Sequence, residues 1–307
     1  MCNLCLSEFT FLPTESLPSA TSLNNTSTKP TGHPLPKPFI PPESSSSSSN
    51  EKLSPPIEPN PILNLIATVP YPNEVGYTTL SEEDDPMDTN SWFVKVDTAL
   101  GLNIPSLPRL ASEYQRAWKE ATGRGSMSRS QLAISTIDDV YSTIRVTFPL
   151  LLMCPDNGSA WNDRKAAITS LIEDESLLHT LILSSACKNP KHHILQILWG
   201  EIYLVDLILT KSSKAPTSWY HRTWVINQLL LVSQSHITPL DIDVDVCGPL
   251  LDILFKNMLR HELDECCTKV SAFHSKNYYS WNHRLKMITL ALSDSSSSEV
   301  RLFQSII

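Results

Sequence analysis

The sequence predicts an all-α protein whose ordered part is an α-solenoid of stacked helical hairpins. The first observation behind this prediction is a short segment that occurs three times, in which a Trp stands three residues before an Arg. The second and third observations are a helical spacing of residues after each Trp and a long apolar segment before it. Repetition of one local unit is typical of repeat architectures. The copies are Trp161-Asn162-Asp163-Arg164, Trp219-Tyr220-His221-Arg222 and Trp281-Asn282-His283-Arg284.

The residues after each Trp predict a helix. In the second copy, Trp219, Arg222 and Ile226 follow the i, i+3, i+7 spacing of one helix face, and Leu229 continues it. An indole and a guanidinium at this spacing share one side of the helix. We therefore expect each Trp to be buried between helices, with the Arg reaching carboxylates or terminal carbonyls of a neighbouring helix. Each Trp helix is predicted to be the second helix of a hairpin.

The first helix of each hairpin is predicted from the apolar, periodic segment that precedes the Trp helix. These segments cover residues 130–153, 192–210 and 250–273, and Pro149 is expected to bend or end the first one early. Turn residues separate the partners at 154–158, 211–216 and 274–277. Successive Trp residues are 58 and then 62 positions apart, so either loops or an additional helix are predicted at 173–184, together with an insertion at 236–248.

Composition divides the chain into three parts. Residues 1–60 form a Pro- and Ser-rich leader that is predicted to be disordered, because it offers little apolar area to offset its ordering entropy. It is either a flexible leader or a ligand for an SH3 or WW domain. Residues 61–129 are an N-terminal extension, with short helices predicted at 91–100 and 110–121 and a short strand possible at 62–69. Residues 130–307 are the helical repeat domain.

Charge and hydrophobicity exclude several classes of function. The net charge of -8 argues against nucleic-acid binding and against a membrane-surface role, since both need a basic surface. No transmembrane segment is predicted, because the most apolar window, 194–209, is short for a bilayer and contains Glu201 and Asp206. No secretory signal is recognised at the N-terminus, so a cytoplasmic location is expected.

The residues offer no catalytic or metal motif of their own. A Gly-rich phosphate loop, H-E-x-x-H and G-x-S-x-G are all absent from the sequence, and Cys2 and Cys5 form only half of a zinc motif. His192 and His193 are expected to lie at a solvated helix start, pointing in different directions. His221 and His283 are expected to be hydrogen-bonded structural groups rather than general bases.

Two stretches carry a resemblance to a known family. The segments Lys276-Asn277-Tyr278-Tyr279-Ser280-Trp281-Asn282-His283-Arg284 and Ser218-Trp219-Tyr220-His221-Arg222-Thr223-Trp224-Val225 resemble the repeat of protein prenyltransferase alpha subunits. The resemblance extends upstream through Trp92-Phe93-Val94-Lys95 and Ala160-Trp161-Asn162-Asp163-Arg164-Lys165. It implies the alpha subunit of a heterodimeric protein prenyltransferase, most similar to the third type of geranylgeranyltransferase. The spacing of the Trp residues is longer than the family's usual repeat.

The resemblance also implies roles for the partner chain and for particular residues. Such enzymes join a helical alpha subunit to a zinc-bearing beta subunit, so this chain itself would bind no metal or other cofactor. The substrates, a Cys-containing protein and an isoprenoid diphosphate, would bind through the heterodimer. A Lys five residues before the Trp would contact the diphosphate, which designates Lys214 and Lys276 as catalytic candidates.

The copies differ in how closely they follow this pattern. Asn277 and Tyr278 complete it after Lys276 and are implied to bind substrate. The second copy has Ala215-Pro216 in their place, and the first has Asp156 where the Lys is expected. Two interpretations stay open: a transferase subunit in which both lysines act, or a non-catalytic helical scaffold in which they are ordinary exposed turn residues.

Overall fold

The computed structural model describes Ile62 and residues 72–79, 93–123, 134–184, 190–234 and 257–293. Most of these residues are helical, and the predicted class of stacked helical hairpins is confirmed. The predicted leader, the insertion at 236–248 and nearly all of the possible strand at 62–69 lie outside the described residues. The elements are β1 (Glu74–Thr78), β2 (Phe93–Val96), β3 (Ala99–Asn103), α1 (Leu107–Ala121), α2 (Ile137–Met153), α3 (Gly158–Glu173), α4 (Glu175–Ser184), α5 (Pro190–Lys211), α6 (Pro216–Gln234), α7 (257–273) and α8 (Tyr278–Ser293).

A small sheet precedes the helices and corrects the prediction of a helix at 91–100. Strand β3 lies in the centre, parallel to β1 and antiparallel to β2. The hairpin between β2 and β3 turns at Asp97, whose φ of 51° is left-handed. The segment favours a strand because it contains the β-branched residues Val94 and Val96, with Phe93 buried, Val94 half-buried and Val96 exposed.

The sheet packs on α5 of the second hairpin. The Tyr203 hydroxyl donates to the carbonyl of Pro72 at 2.7 Å, and the Thr210 hydroxyl accepts from the amide of Val75 at 2.9 Å. Helix α1 follows the sheet after a short 3₁₀ turn, Ile104–Ser106, and confirms the helix predicted at 110–121. The N-terminal extension therefore covers one side of the repeats.

Three hairpins and one additional helix, α4, make up the rest of the described chain; the hairpins are α2 with α3, α5 with α6, and α7 with α8. We call them units 1, 2 and 3. Helix α2 begins with a capping box between Thr136 and Asp139, which satisfies donors at its first turn. Pro149 lies inside α2 without ending it. The additional helix predicted at 173–184 is α4, which packs between units 1 and 2.

A π-helical turn interrupts α7 in unit 3. It covers His261–Cys267, between a normal helical start and the α-helical Thr268–Phe273. Unit 2 has Glu201 18 residues before Trp219, whereas unit 3 has Glu262 19 residues before Trp281. A π turn accommodates one extra residue in an α-helix. It therefore keeps Glu262 in register with Glu201 despite the longer spacing.

Helix α5 is the core helix of the molecule. Most of its residues are buried, 17 of 22, and it contributes to both hydrophobic clusters of the core. By length and apolar composition it is the one helix within the described ranges that could cross a membrane, and most of its apolar stretch is packed inside the protein. This burial confirms the prediction of a buried helix at 194–209.

Candidate functional site

Each repeated Trp fixes the turn that precedes its own helix. The indole nitrogen donates to the carbonyl six residues earlier, from Trp161 to Pro155 at 2.8 Å and from Trp219 to Ser213 at 2.9 Å. Trp281 makes the same bond to the carbonyl of Ser275 at 2.9 Å. Because the same indole hydrogen bond holds all three turns, the three units share the same local geometry where each Trp helix begins.

The Trp of one unit also packs against the His of the next. The rings of Trp161 and His221 lie 4.2 Å apart between centroids, and those of Trp219 and His283 lie 5.2 Å apart. Trp161 and Trp219 are consequently 2% and 4% exposed. Trp281 is 49% exposed, since no further unit covers it within the described residues, so the prediction that all three are mostly buried is wrong for this one.

A buried glutamate joins units 1 and 2. Glu201 on α5 accepts a hydrogen bond from Arg164 of α3 at 2.5 Å. Its second partner is His221 of α6, with 2.9 Å between Nε2 and Oε2. The other side of the Arg164 guanidinium donates to the carbonyl of Ile144 and the hydroxyl of Thr147. One carboxylate thus links the Arg of one unit to the His of the next.

Units 2 and 3 repeat this arrangement with Glu262. Arg222 donates to both carboxylate oxygens of Glu262, each at 2.7 Å, and His283 lies 2.7 Å from one of them. Arg222 also donates to Asp206 at 2.8 Å, and Asp206 binds His261 at 2.9 Å. Buried charges are tolerated where such partners satisfy them. The prediction that the repeat Arg reaches a neighbouring carboxylate is confirmed for Arg164 and Arg222.

These contacts set the charge states of the buried groups. Burial alone would raise the pKa of Glu262, but the charge of Arg222 and the hydrogen bond from His283 outweigh it and hold that pKa well below the usual range. Burial similarly opposes ionisation of Glu201, whose pKa is nevertheless lowered by the charge of Arg164. Burial lowers the pKa of His221 despite its bond to Glu201. His221 is therefore neutral, and its Nε2–H donates to the carboxylate.

His261 has the opposite behaviour. Burial acts to lower its pKa, but the neighbouring carboxylate of Asp206 raises it to about 10, with a further hydrogen bond to Glu265. His261 is consequently an imidazolium at neutral pH. It brings a second cation to the carboxylate of Asp206, which already pairs with Arg222.

The sequence interpretation missed the acids of this network. Glu201 and Asp206 were visible as charges inside an otherwise apolar segment, and a charge that enters a core needs a partner. That pattern could have paired them with the repeat Arg residues. His192 and His193 were also misplaced: both are buried, with their rings 5.8 Å apart, rather than at a solvated helix start. They are buried because α5 is surrounded from its first turn.

The two candidate catalytic lysines lie on adjacent turns. Lys214 is exposed in the turn between α5 and α6, and Lys276 is exposed in the turn between α7 and α8. The Asn277 side chain donates to the carbonyl of Ser213 at 2.7 Å, which ties one turn to the other. Asp156 takes the corresponding position in unit 1. The edge formed by these turns, which we call the turn edge, thus displays two cations in successive units.

The two residues implied in substrate binding are placed very differently. Asn277 is buried, and its carbonyl oxygen accepts from the amides of Tyr279 and Ser280 as the N-terminal cap of α8. Both ends of this amide are thus occupied by structural bonds. Tyr278 is largely exposed next to Lys276. Over the described ranges, no cluster of three His, Cys, Asp or Glu side chains is arranged to bind a metal ion.

Comparison with protein families identifies the repeat. Residues 260–291, which comprise most of α7 and most of α8, match the protein prenyltransferase alpha subunit repeat. These residues are therefore similar to that repeat, which is consistent with the family suggested by the sequence. Unit 3 is the unit that matches the repeat, and the Trp of units 1 and 2 makes the same bond to its preceding turn as the Trp of unit 3.

Several relatives share about half of the chain. Protein prenyltransferase alpha subunit repeat-containing protein 1 from Homo sapiens is 30% identical over 142 residues, which are 46% of this chain and 29% of that protein. Protein prenyltransferase alpha subunit repeat-containing protein 1-A from Xenopus laevis is 29% identical over 47% of this chain and 27% of its own length. Protein prenyltransferase alpha subunit repeat-containing protein 1 from Danio rerio is 26% identical over 48% of this chain and 28% of its own length. The matched part thus spans less than a third of these relatives.

Proposed function

We propose that this chain acts as the alpha subunit of a heterodimeric protein prenyltransferase. The proposed enzyme transfers a geranylgeranyl group to a Cys of a protein substrate. The observation that carries the proposal is the pair of exposed lysines on the turn edge, each five residues before a repeat Trp. The match of residues 260–291 to the repeat of protein prenyltransferase alpha subunits supports the alpha-subunit role in general. A cytoplasmic location fits this role and is proposed with it.

The transfer that such a complex performs needs cations where diphosphate departs. The thiolate of the substrate Cys forms a bond to the first carbon of the isoprenoid, while the bond from that carbon to the diphosphate oxygen breaks. Negative charge grows on the departing diphosphate, and a positioned Lys stabilises it. We assign this role to Lys214 and Lys276, with Tyr278 beside the second lysine as a substrate contact.

Zinc would be held by the beta subunit, and it would supply a deprotonated thiol for the reaction. The repeats of this chain would contribute a rigid surface for that partner. The Glu201 and Glu262 contacts join neighbouring units through buried bonds, and the Trp indoles hold the turns. Asn277 is better placed to position Lys276 than to touch substrate, because its amide already binds the backbone.

The test is isoprenoid transfer by the assembled heterodimer. The chain is co-expressed with a zinc-bearing beta subunit, and incorporation of labelled geranylgeranyl diphosphate into a Cys-containing protein is measured. Lys214→Ala and Lys276→Ala should each slow transfer by roughly 10²–10³ while the complex still assembles, because the cation acts on charge that develops in the transition state. Lys269→Ala, an exposed lysine on α7, is the matched control and should transfer at the parent rate.

A second candidate is a non-catalytic scaffold that uses the same repeats to bind another protein. It is favoured by the names of the relatives, which describe the repeat and no activity. A scaffold predicts that Lys214→Ala and Lys276→Ala leave partner binding intact, with no transfer to lose. A stable parent complex that transfers no isoprenoid to any Cys-bearing substrate would contradict the transferase proposal and leave the scaffold.

A further inference from the structure

The three turns of the turn edge share one pattern of backbone bonding. In each turn, the amide of the fourth residue donates to the carbonyl of the first. These bonds measure 3.1 Å from Asn157 to Cys154, 3.1 Å from Ala215 to Ser212 and 2.9 Å from Asn277 to His274. The third residue is Asp156 in unit 1, Lys214 in unit 2 and Lys276 in unit 3. The two lysines therefore take equivalent positions in successive units.

A side chain of the following unit also holds each of the first two turns. The carbonyl of Ser213, which already accepts the indole of its own unit, accepts a second hydrogen bond from the Asn277 side chain at 2.7 Å. The carbonyl of Pro155 likewise accepts its own indole and the hydroxyl of Thr217 at 2.7 Å. We call these two contacts the turn-to-turn bonds. The one made by Asn277 joins two turns that both carry a lysine.

Asn277 is held in place for this contact by its other bonds. Its side chain is buried, and its carbonyl oxygen accepts from the amides of Tyr279 at 3.1 Å and Ser280 at 3.3 Å. The oxygen and nitrogen of an Asn amide are separate acceptor and donor groups. The oxygen therefore caps α8 in unit 3, while the nitrogen acts on the turn of unit 2.

Lys214 is the exposed residue next to this bond. It directly follows Ser213, and both Ser213 and Ala215 are buried while Lys214 itself is exposed. Its backbone is thus anchored on either side, and its side chain extends into solvent. Packed helices lie about 8–10 Å apart, and a Lys stem is long and flexible. The ammonium groups of Lys214 and Lys276 can therefore reach one diphosphate together.

We propose that Asn277 is a positioning residue for Lys214, which it holds across the boundary between units 2 and 3 so that Lys214 and Lys276 act on the same diphosphate. This role rests on the proposed function, and it joins the two lysines into one pair. Asn277 does not touch the substrate, since both ends of its amide bind the protein backbone. A misplacement of about 1 Å can cost about 10²-fold in rate, so the bond to Ser213 contributes to transfer.

Asn277→Ser in the co-expressed heterodimer tests this role. Serine still caps a helix, but it is too short to donate to the carbonyl of Ser213. The variant should lower kcat about 10–10²-fold and leave KM for geranylgeranyl diphosphate within about twofold, because Lys214 acts on charge that develops in the transition state. Thr217→Val is the matched control. It removes the other turn-to-turn bond, whose turn carries Asp156 instead of a lysine, and it should transfer at the parent rate.

Combination with lysine variants separates positioning from a general structural effect. In the Lys214→Ala background, Asn277→Ser should slow transfer by less than about twofold further, since the cation that it positions is gone. In the Lys269→Ala background, it should keep its full effect. If the losses of Lys214→Ala and Asn277→Ser multiplied, the positioning role would be overturned, because a structural defect acts whether or not Lys214 is present.

Hydrogen–deuterium exchange of the full chain gives a readout that does not depend on transfer. Asn277→Ser should raise exchange of residues 212–216 at least about threefold, as expected for one lost hydrogen bond, whereas Thr217→Val should raise it in residues 154–157. Exchange of α5 should be equal in all variants, which shows that the repeats stay folded. Unchanged exchange of residues 212–216 in Asn277→Ser would overturn the positioning role even in an active heterodimer. A parent heterodimer without transfer would instead overturn the proposed function, and the role at Lys214 with it.

Discussion

At the scale of single residues, an indole, a guanidinium and a carboxylate each make a different contact in the repeat. The Trp ties its own turn through its N–H and covers the His of the next unit with its ring. The Arg reaches across the same boundary between units and forms an ion pair with a glutamate, as Arg222 does with Glu262. Because apolar packing and a charge-assisted bond act at one place, a change in either partner weakens the boundary between two units.

Truncation of either buried Trp tests this packing. Trp161→Ala and Trp219→Ala should each lower the free energy of unfolding by about 3–5 kcal/mol, because each leaves a large cavity between two units. Urea unfolding followed by circular dichroism measures the loss. Tyr220→Ala, next to Trp219 but 63% exposed, should change it by less than about 0.5 kcal/mol. A Trp219→Ala variant as stable as the parent would contradict the packing role.

At the scale of elements, the helices were predictable and the sheet was not. Periodicity over 15 or more residues predicts a helix reliably, and α3, α6 and α8 all begin within a turn of their Trp. Strand β2 has only four residues, so its apolar run fits a helix as well as a strand. Its sheet also needs β1, whose residues lie more than 14 positions away. Pairing between distant segments leaves no local pattern to recognise.

The π-helical turn of α7 provides a pH-dependent contact at this scale. His261 has an ordinary pKa of 6.5 when unfolded and a pKa of about 10 in the folded protein. A raised folded pKa means that its contribution is complete below pH 6.5 and is lost as pH rises toward 10. Stability should therefore decline by up to a few kcal/mol over this window.

The His261→Gln variant isolates this contribution. The free energy of unfolding of the parent and the variant is compared between pH 6 and 10 by urea titration. The difference between them should shrink as the pH rises, because the parent alone loses the imidazolium at Asp206. His274→Gln, an exposed histidine between α7 and α8, should leave the pH dependence unchanged. A constant difference between the parent and His261→Gln would contradict the assigned contact.

At the scale of the molecule, the sequence predicts that the helical hairpins stack, but not which side chains pair between them. The two lysines of the turn edge were found because they stand at a fixed distance from each Trp. The Arg164–Glu201 pair was not found from the sequence, because it depends on which helices become neighbours and its two residues are 37 positions apart. Exposure of Trp281 was missed for the same reason. Its burial depends on the neighbour that packs against α8 rather than on the residues of the helix itself.

A stack of this kind should behave as a chain of nearest-neighbour contacts. Glu201→Gln weakens the boundary between units 1 and 2 and Glu262→Gln the one between units 2 and 3, each by removing a buried carboxylate from an Arg, at up to about 3–5 kcal/mol. Glu201→Gln should be the costlier change. Arg164 then retains only neutral partners, whereas Arg222 still has Asp206.

The double variant decides whether the two boundaries are independent. Glu201 and Glu262 share no hydrogen-bond partner, so the losses of the single variants should add within about 0.5 kcal/mol in urea unfolding. Glu175→Gln, an exposed acid on α4, serves as the control and should be neutral. A coupling above about 1 kcal/mol would mean that α6, which carries both His221 and Arg222, transmits a change at one boundary to the other. The solenoid would then respond as one body when a partner binds its turn edge.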